Sequence, residues 1–290
     1  MLDRTSVGAR SAPRTRAWTP DDALLYSLAL GAGPDRPDLV TENSEGVPQR
    51  MLPTYAALLA GGSRPLRDRL GGWPAHATVH GAQRVDLPGP LPVGGEVDVV
   101  SSVAGITDKG SGALLEIEAT GTDRATGAAV FTALTSLFLR GQGWGEPERG
   151  TGSDPVPDRG PDLVVETPTA PNQALLYRLC GDRNPLHSDP AFARRAGFER
   201  PILHGLCTWG ITARVLLQEL DAAGADDPLD RVASYSGRFR APVVPGDALT
   251  VRAWRTGPDA WAHTTSVGER TVVDRGELVL RPSRPGRAAG

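Results

Sequence analysis

A chain of 290 residues, 39% hydrophobic and 22% charged, with a net charge of −3, has the balance of a soluble globular fold of one large domain or two ordinary ones. That charge excludes the clustered basic excess of a nucleic-acid binder, and 5% aromatics leaves little with which to stack bases. No apolar run approaches the ~20 residues that span a bilayer, so no membrane partner is expected. The two cysteines, Cys180 and Cys207, cannot build a disulfide scaffold, and with no apolar secretory leader the expected compartment is the reducing cytoplasm.

In chain order, residues 1–17 carry Arg and Ser without periodicity and read as a frayed, disordered N-terminus. A helix is predicted to open at Thr19, an N-cap followed by Pro20 and two acidic residues. A second apolar helical segment begins at Pro53. Val97–Ile106, Ala113–Thr122 and Ala128–Leu139 are β-branched, strand-length segments separated by DKGSG and DRATG turns. Residues 142–161 are dense in Gly, Pro and charge and form a linker. Beyond it, Ile202–Leu220 is the longest apolar-periodic helix, stopped by Gly224. Strands are predicted at Val232–Arg240, Ala248–Arg255, Ala260–Val267 and Glu277–Arg281. Residues 282–290 read as a disordered tail.

The two sides of the linker look alike. Apolar helical segments begin at Pro53 and Pro201, and Pro/Gly turns follow at Gly95 and Gly246. An offset near 150 residues implies a duplicated domain rather than a solenoid unit, with repeats at 18–141 and 162–281. Helix followed by runs of antiparallel strands is an α+β arrangement: a sheet wrapped round a helix in each half.

The densest cluster of reactive side chains is YRLCGDRNPLHSDPAFARRAGFERPILHG, Tyr177 to Gly205. Asp182, Asn184 and His187 lie within six residues, Pro185 breaks any helix between them, and Gly181 permits a tight turn. A helix then opens near His204-Gly205, where the first backbone amides lack internal partners and can face an oxyanion. A carboxylate and an imidazole can share proton removal from water and proton delivery to carbon. Asn184 both donates and accepts, so it can hold the water against Asp182. These parts suit addition or loss of water across a double bond conjugated to a carbonyl. Taken singly, each has a plainer explanation: D-x-N-P as an Asx-turn, His187 as a capping or core histidine. Among 31 basic residues only one is lysine, Lys109, which sets a compact ammonium apart from the guanidinium used everywhere else. C-x-x-C, H-E-x-x-H, P-loop and dinucleotide-binding patterns are absent, so no metal or cofactor is expected.

The window resembles the hydratase 2 motif of the (R)-specific enoyl-CoA hydratases, or MaoC-like dehydratases: Gly181-Asp182, Asn184-Pro185-Leu186-His187 and Leu203-His204-Gly205. WTPDDALLYSLALGAG, LPTY, VHGAQ, DKGSGA and FLRGQGWG are similar to the first half of the family's two-repeat form, and SGRFRAPVVPGDAL to its later strand pair. The likeness covers about Trp18 to Arg281. It implies a double hot-dog, two antiparallel sheets each wrapped around a long helix, with the catalytic motif in the second half and an acyl pocket widened by the first. It assigns Asp182 and His187 as the acid–base dyad, Asn184 as water-orienting and Gly205 as the oxyanion amide. Substrate contacts carry over to His80, Gly81, Lys109, Arg183, Pro185, Leu186 and Phe239, with Lys109 at the nucleotide end of CoA. The implied reaction is reversible syn hydration of a trans-2-enoyl-CoA to the (3R)-3-hydroxyacyl-CoA, without cofactor, by a homodimer. A dehydratase of carrier-protein thioesters would use the same dyad, a hot-dog thioesterase would release free thiol, and an acyl-CoA-binding subunit would have no use for an acid–base pair.

Overall fold

In the first half, the chain runs through β1 (Arg14–Trp18), α1 (Pro20–Ala29), α2 (Pro37–Val40), α3 (Ala56–Ala60), β2 (Thr78–Asp86), β3 (Gly95–Asp108), β4 (Gly112–Asp123) and β5 (Ala129–Arg140). The second half follows with β6 (Leu163–Pro168), α4 (Gln173–Tyr177), α5 (Pro190–Arg195), α6 (Gly205–Ala222), β7 (Val232–Phe239), β8 (Ala248–Gly257), β9 (Ala260–Val267) and β10 (Arg270–Leu280). The structure, a computed structural model, describes residues 1–74, 77–148 and 155–283. The expected disordered tail lies almost wholly outside these residues, as does the middle of the expected linker.

All ten strands join one antiparallel sheet, in the order β1-β3-β4-β5-β2-β7-β10-β9-β8-β6. The order is symmetric about the β2–β7 pair, so each strand of one half has a counterpart in the other. The α+β double hot-dog is borne out, with the two expected sheets fused edge to edge through Ala82–Asp86 against Ser234–Arg238. α6 lies in the concave face and is buried over most of its circumference, including Trp209, Ile211, Val215 and Leu216. A helix apolar on nearly every side is stable only inside such a wrap.

Two expectations need correction. The first half's helix is short: a 3-10 turn over Pro53–Tyr55 leads into α3, which ends at Gly61 in the left-handed conformation (φ 74°). Gly62 follows with φ 58°, and two successive left-handed residues cannot continue a helix. The N-terminal residues are ordered rather than frayed, because Arg14–Trp18 adds to the edge of β3 and Leu2 is buried against Leu66 and Leu70. The long helix starts at Gly205, where the His204-Gly205 reading put it, and not at the first residue of the apolar segment, since the Leu203 amide is held by the Val243 carbonyl at 2.7 Å. The Thr19 cap stands as read: its hydroxyl accepts from the Asp22 amide while Asp22 reaches back to the Thr19 amide. Among the described residues, no helix is long and apolar enough to cross a membrane.

Candidate active site

The loop between α4 and α5 is built from nested caps. Gly181 takes φ 124°, turning the chain out of a 3-10 segment. Asp182 Oδ1 accepts from the Asn184 amide at 3.1 Å, and Asn184 Oδ1 accepts from the Leu186 amide at 3.1 Å. Pro185 then occupies the first position of a 3-10 turn through His187, with its missing amide no loss there. The Asx-turn reading is therefore correct, and the same turn is what presents the side chains.

His187 is buried, and its Nδ1 lies 2.8 Å from the Ile202 carbonyl. A carbonyl only accepts, so Nδ1 carries the proton and Nε2 of the neutral ring holds the lone pair. Burial lowers the His187 pKa below the ordinary 6.5, against the opposing pull of the Ile202 carbonyl and the Asp182 carboxylate. His204 stacks on it, ring centroids 3.7 Å apart and planes 27° apart, and points Nε2 at the Asp182 carbonyl, 3.2 Å away. Asp182, His187 and His204 each offer a ligand-type atom within 4.8 Å of the others. This set does not suit a metal: imidazole lone pairs lie in the ring plane, and planes only 27° apart cannot point two of them at one ion near the tetrahedral angle.

These groups line a cavity of about 450 Å³ between the halves. The second half supplies Asp182, Asn184, Leu186, His187, the first turn of α6 at Gly205, and Phe239. From the first half come His80 on β2 and Leu137 and Arg140 on β5. The β2–β5 ladder shifts register between His80 and Ala82, a bulge that re-aims His80 next to the site. His80 packs edge-on against Phe239 at 4.8 Å, its Nε2 is buried without a partner among the described residues, and burial pushes its pKa down to about 4.

Four residues suggested by the sequence lie outside the cavity lining. Gly81 sits in the bulge itself, where a Cβ would come within 3.2 Å of the Ser136 carbonyl. Arg183 and Pro185 face solvent on the outer side of the loop. Lys109 is on the β3–β4 turn, where its ammonium donates to the Glu148 carbonyl at 3.1 Å. That turn is locked because the Asp108 carboxylate accepts from the Gly110, Trp144 and Glu146 amides. Sequence reasoning missed Arg140 and Arg240 on the cavity wall and the stacking of His204 on His187; only the Leu203-His204-Gly205 triplet hinted at the last.

Burial also holds His204 down to about 3 and His263, on β9, down to about 4. An unfolded chain protonates these rings near 6.5, so below that pH it binds more protons than the fold does. Stability is therefore full above pH 6.5 and falls as pH drops toward 4, by about 1.4 kcal/mol per pH unit for each fully buried histidine. Thermal melts should show Tm falling across pH 6.5 to 4; a flat Tm over that window would contradict the burial of these rings.

Residues 17–141 match the MFE-2 hydratase 2 N-terminal domain, and residues 153–276 match the MaoC like domain. The chain is 42% identical, over 96% of its length and 98% of the relative's, to 3-hydroxyacyl-thioester dehydratase Y of Mycobacterium tuberculosis. It is 41% identical to enoyl-CoA hydratase ChsH3 of the same organism, over 87% of this chain and 88% of the other. A crystal structure of a MaoC-like dehydratase from Phytophthora capsici superposes with a TM-score of 0.84 at 28% identity, covering 99% of this chain and 100% of that one.

Proposed function

The chain belongs to the MaoC-like dehydratase family, in the form that carries a hydratase 2 N-terminal domain, and we propose that it adds water reversibly to trans-2-enoyl-CoA with Asp182 and His187 as the acid–base pair. One observation carries the assignment of roles: a carboxylate oxygen of Asp182 and a ring nitrogen of His187 lie within 4.8 Å of each other on the wall of a cavity that opens onto the start of α6.

The thioester carbonyl sits at the α6 N-terminus, where the Gly205 amide has no partner within the helix and the macrodipole favours developing negative charge. Water rests against Asp182, held by the Asn184 side-chain amide, whose oxygen is already committed to the Leu186 amide. The pair takes one proton from the water as its oxygen attacks C3, charge passes onto the carbonyl oxygen as an enolate, and the pair returns one proton to C2. Asp182 and His187 end as they began, and delivery of both atoms from one wall gives syn addition; the (3R) configuration is the one the family resemblance implies. His80 from the first half and Phe239 from the second meet on the wall of the acyl pocket, which Leu186 also lines. For the nucleotide end of CoA the candidate remains Lys109, whose turn is joined to the cavity wall by the pairing of Gly112 with Arg140. Gly81 contributes through the bulge, and Arg183 and Pro185 border the entrance. We place the enzyme in the cytoplasm because its two cysteines, Cys180 and Cys207, cannot build a disulfide scaffold, and as a homodimer by analogy with other two-repeat chains of the family.

A panel of enoyl-CoAs of graded length and bulk, beside one enoyl group on a carrier protein, tests the reading. Loss of conjugated-enoyl absorbance with a (3R)-hydroxy product is expected; release of free thiol, or no reaction across the panel, would overturn it. Preference for the carrier-protein thioester would shift the substrate while keeping the chemistry.

A further inference from the structure

We propose that His204 is the positioning residue of the site: its ring clamps His187 from one side while its Nε2–H ties the Asp182 backbone to the start of α6. The inference rests on the acid–base reading above, and no known role of the chain's other groups supplies it.

His204 occupies the N-cap of α6, where Ser, Thr, Asp or Asn normally turns a side-chain oxygen onto the first free amides. It makes no side-chain cap. A capping oxygen there would compete with a substrate oxygen for the amides that begin the helix, so a residue that spends its side chain elsewhere keeps them available. It spends it on the neighbouring loop: Nε2 donates to the Asp182 carbonyl at 3.2 Å, across 22 residues of sequence. The ring is 1% exposed, stacked on His187 at 3.7 Å on one side and packed at 4.9 Å against Tyr177 of α4 on the other. Its Nδ1 is buried without a partner among the described residues. An orphaned buried nitrogen is unfavourable, and a phenylalanine would fill the space without one. What a phenylalanine lacks is the donor to Asp182. One side chain thus fixes the distance between the carboxylate-bearing loop, the imidazole and the oxyanion amide.

The stack also keeps water from the face of His187. The charged and titratable groups around the two rings are the Asp182 carboxylate, the buried Tyr177 hydroxyl, His80 across the cavity, Arg178 on the approach to the loop, and Arg140 and Arg240 on the cavity wall. Of these only Asp182 favours a protonated His187, so losing the ring weakens the burial that lowers the His187 pKa and lets water and that carboxylate raise it.

Two substitutions separate the ring from the donor. His204→Phe keeps the stack and loses the donor: kcat should fall about 10- to 100-fold with KM little changed, as displaced reacting groups cost, and the acid limb of the kcat/KM profile should stay in place. His204→Gln keeps a donor and loses the ring: the acid limb should move up toward pH 6.5, and the His187 titration followed by imidazole nitrogen NMR should move with it. Unchanged kcat in both variants, or losses in kcat and Tm in His204→Gln with no movement of its acid limb or of the His187 titration, would overturn the proposal. Wild-type spectra test it without any variant, since His204 must appear as the neutral tautomer protonated at Nε2; the opposite tautomer would sink it. Should the wild-type chain hydrate no enoyl thioester, the catalytic reading fails, while the tautomer and the His187 titration still decide the positioning.

Discussion

Asp182→Asn and His187→Gln should each lower kcat by at least about 100-fold, the contribution of one acid–base group, while leaving KM within a few-fold. The substitutions are chosen so that the loop survives. An asparagine oxygen at 182 can still accept from the Asn184 amide, and a glutamine amide at 187 can still donate to the Ile202 carbonyl. A fall in Tm comparable to that of a core deletion would therefore signal misfolding rather than lost chemistry. Because the two groups pass the same proton through one cycle, the double variant should lose little more than the worse single one. In the wild type, activity requires neutral His187, whose pKa lies below 6.5; the acid limb of kcat/KM should fall below that value, and neutral pH should lie on the plateau. Wild-type-like turnover in either variant, measured as loss of enoyl absorbance, removes the assigned roles.

The loop was legible before any coordinates because its order is local. Gly181, the two Asx caps and Pro185 each act within three residues, so the turn that brings Asp182, Asn184 and His187 together is written in the segment itself. The β3, β4 and β5 strands were legible for the same reason: β-branched alternation bounded by Asp/Gly turns. What escaped was non-local. Arg14–Trp18 becomes a strand only because β3 offers an edge some 80 residues later, and its half-buried arginines gave no apolar signal of their own. The short β6 is the matching case at the other edge, with alternating exposure that a Pro-rich surrounding obscured. Nor could alternation announce that β2 and β7 would fuse two sheets into one. The first-half helix was over-read because its apolar run was weighed without the Gly61-Gly62 stop. His204 was visible only as a neighbour of Gly205; that its ring would turn back onto His187 depends on a loop 22 residues upstream.

Gly205→Pro should lower kcat by about 100- to 1,000-fold, the effect of removing one oxyanion donor, with the fold retained. A backbone amide is ordinarily beyond the reach of substitution, but this one sits at the first position of a helix, where proline is tolerated and its fixed φ suits the turn. The residue before a proline must be extended, and His204 already is, at φ −60° and ψ 135°. The remaining difficulty is steric: a Cβ at 205 would lie 3.3 Å from the Phe239 ring, close enough to require a small shift. Gly205→Ala introduces that same Cβ and keeps the N–H, so it measures the crowding alone. The ratio of the two variants reads the amide: alanine within about tenfold of wild type and proline a further hundredfold below it is the expected pattern. Equal activities in the two variants would move the oxyanion site away from the start of α6, and the carbonyl would then have to find its donor elsewhere on the cavity wall.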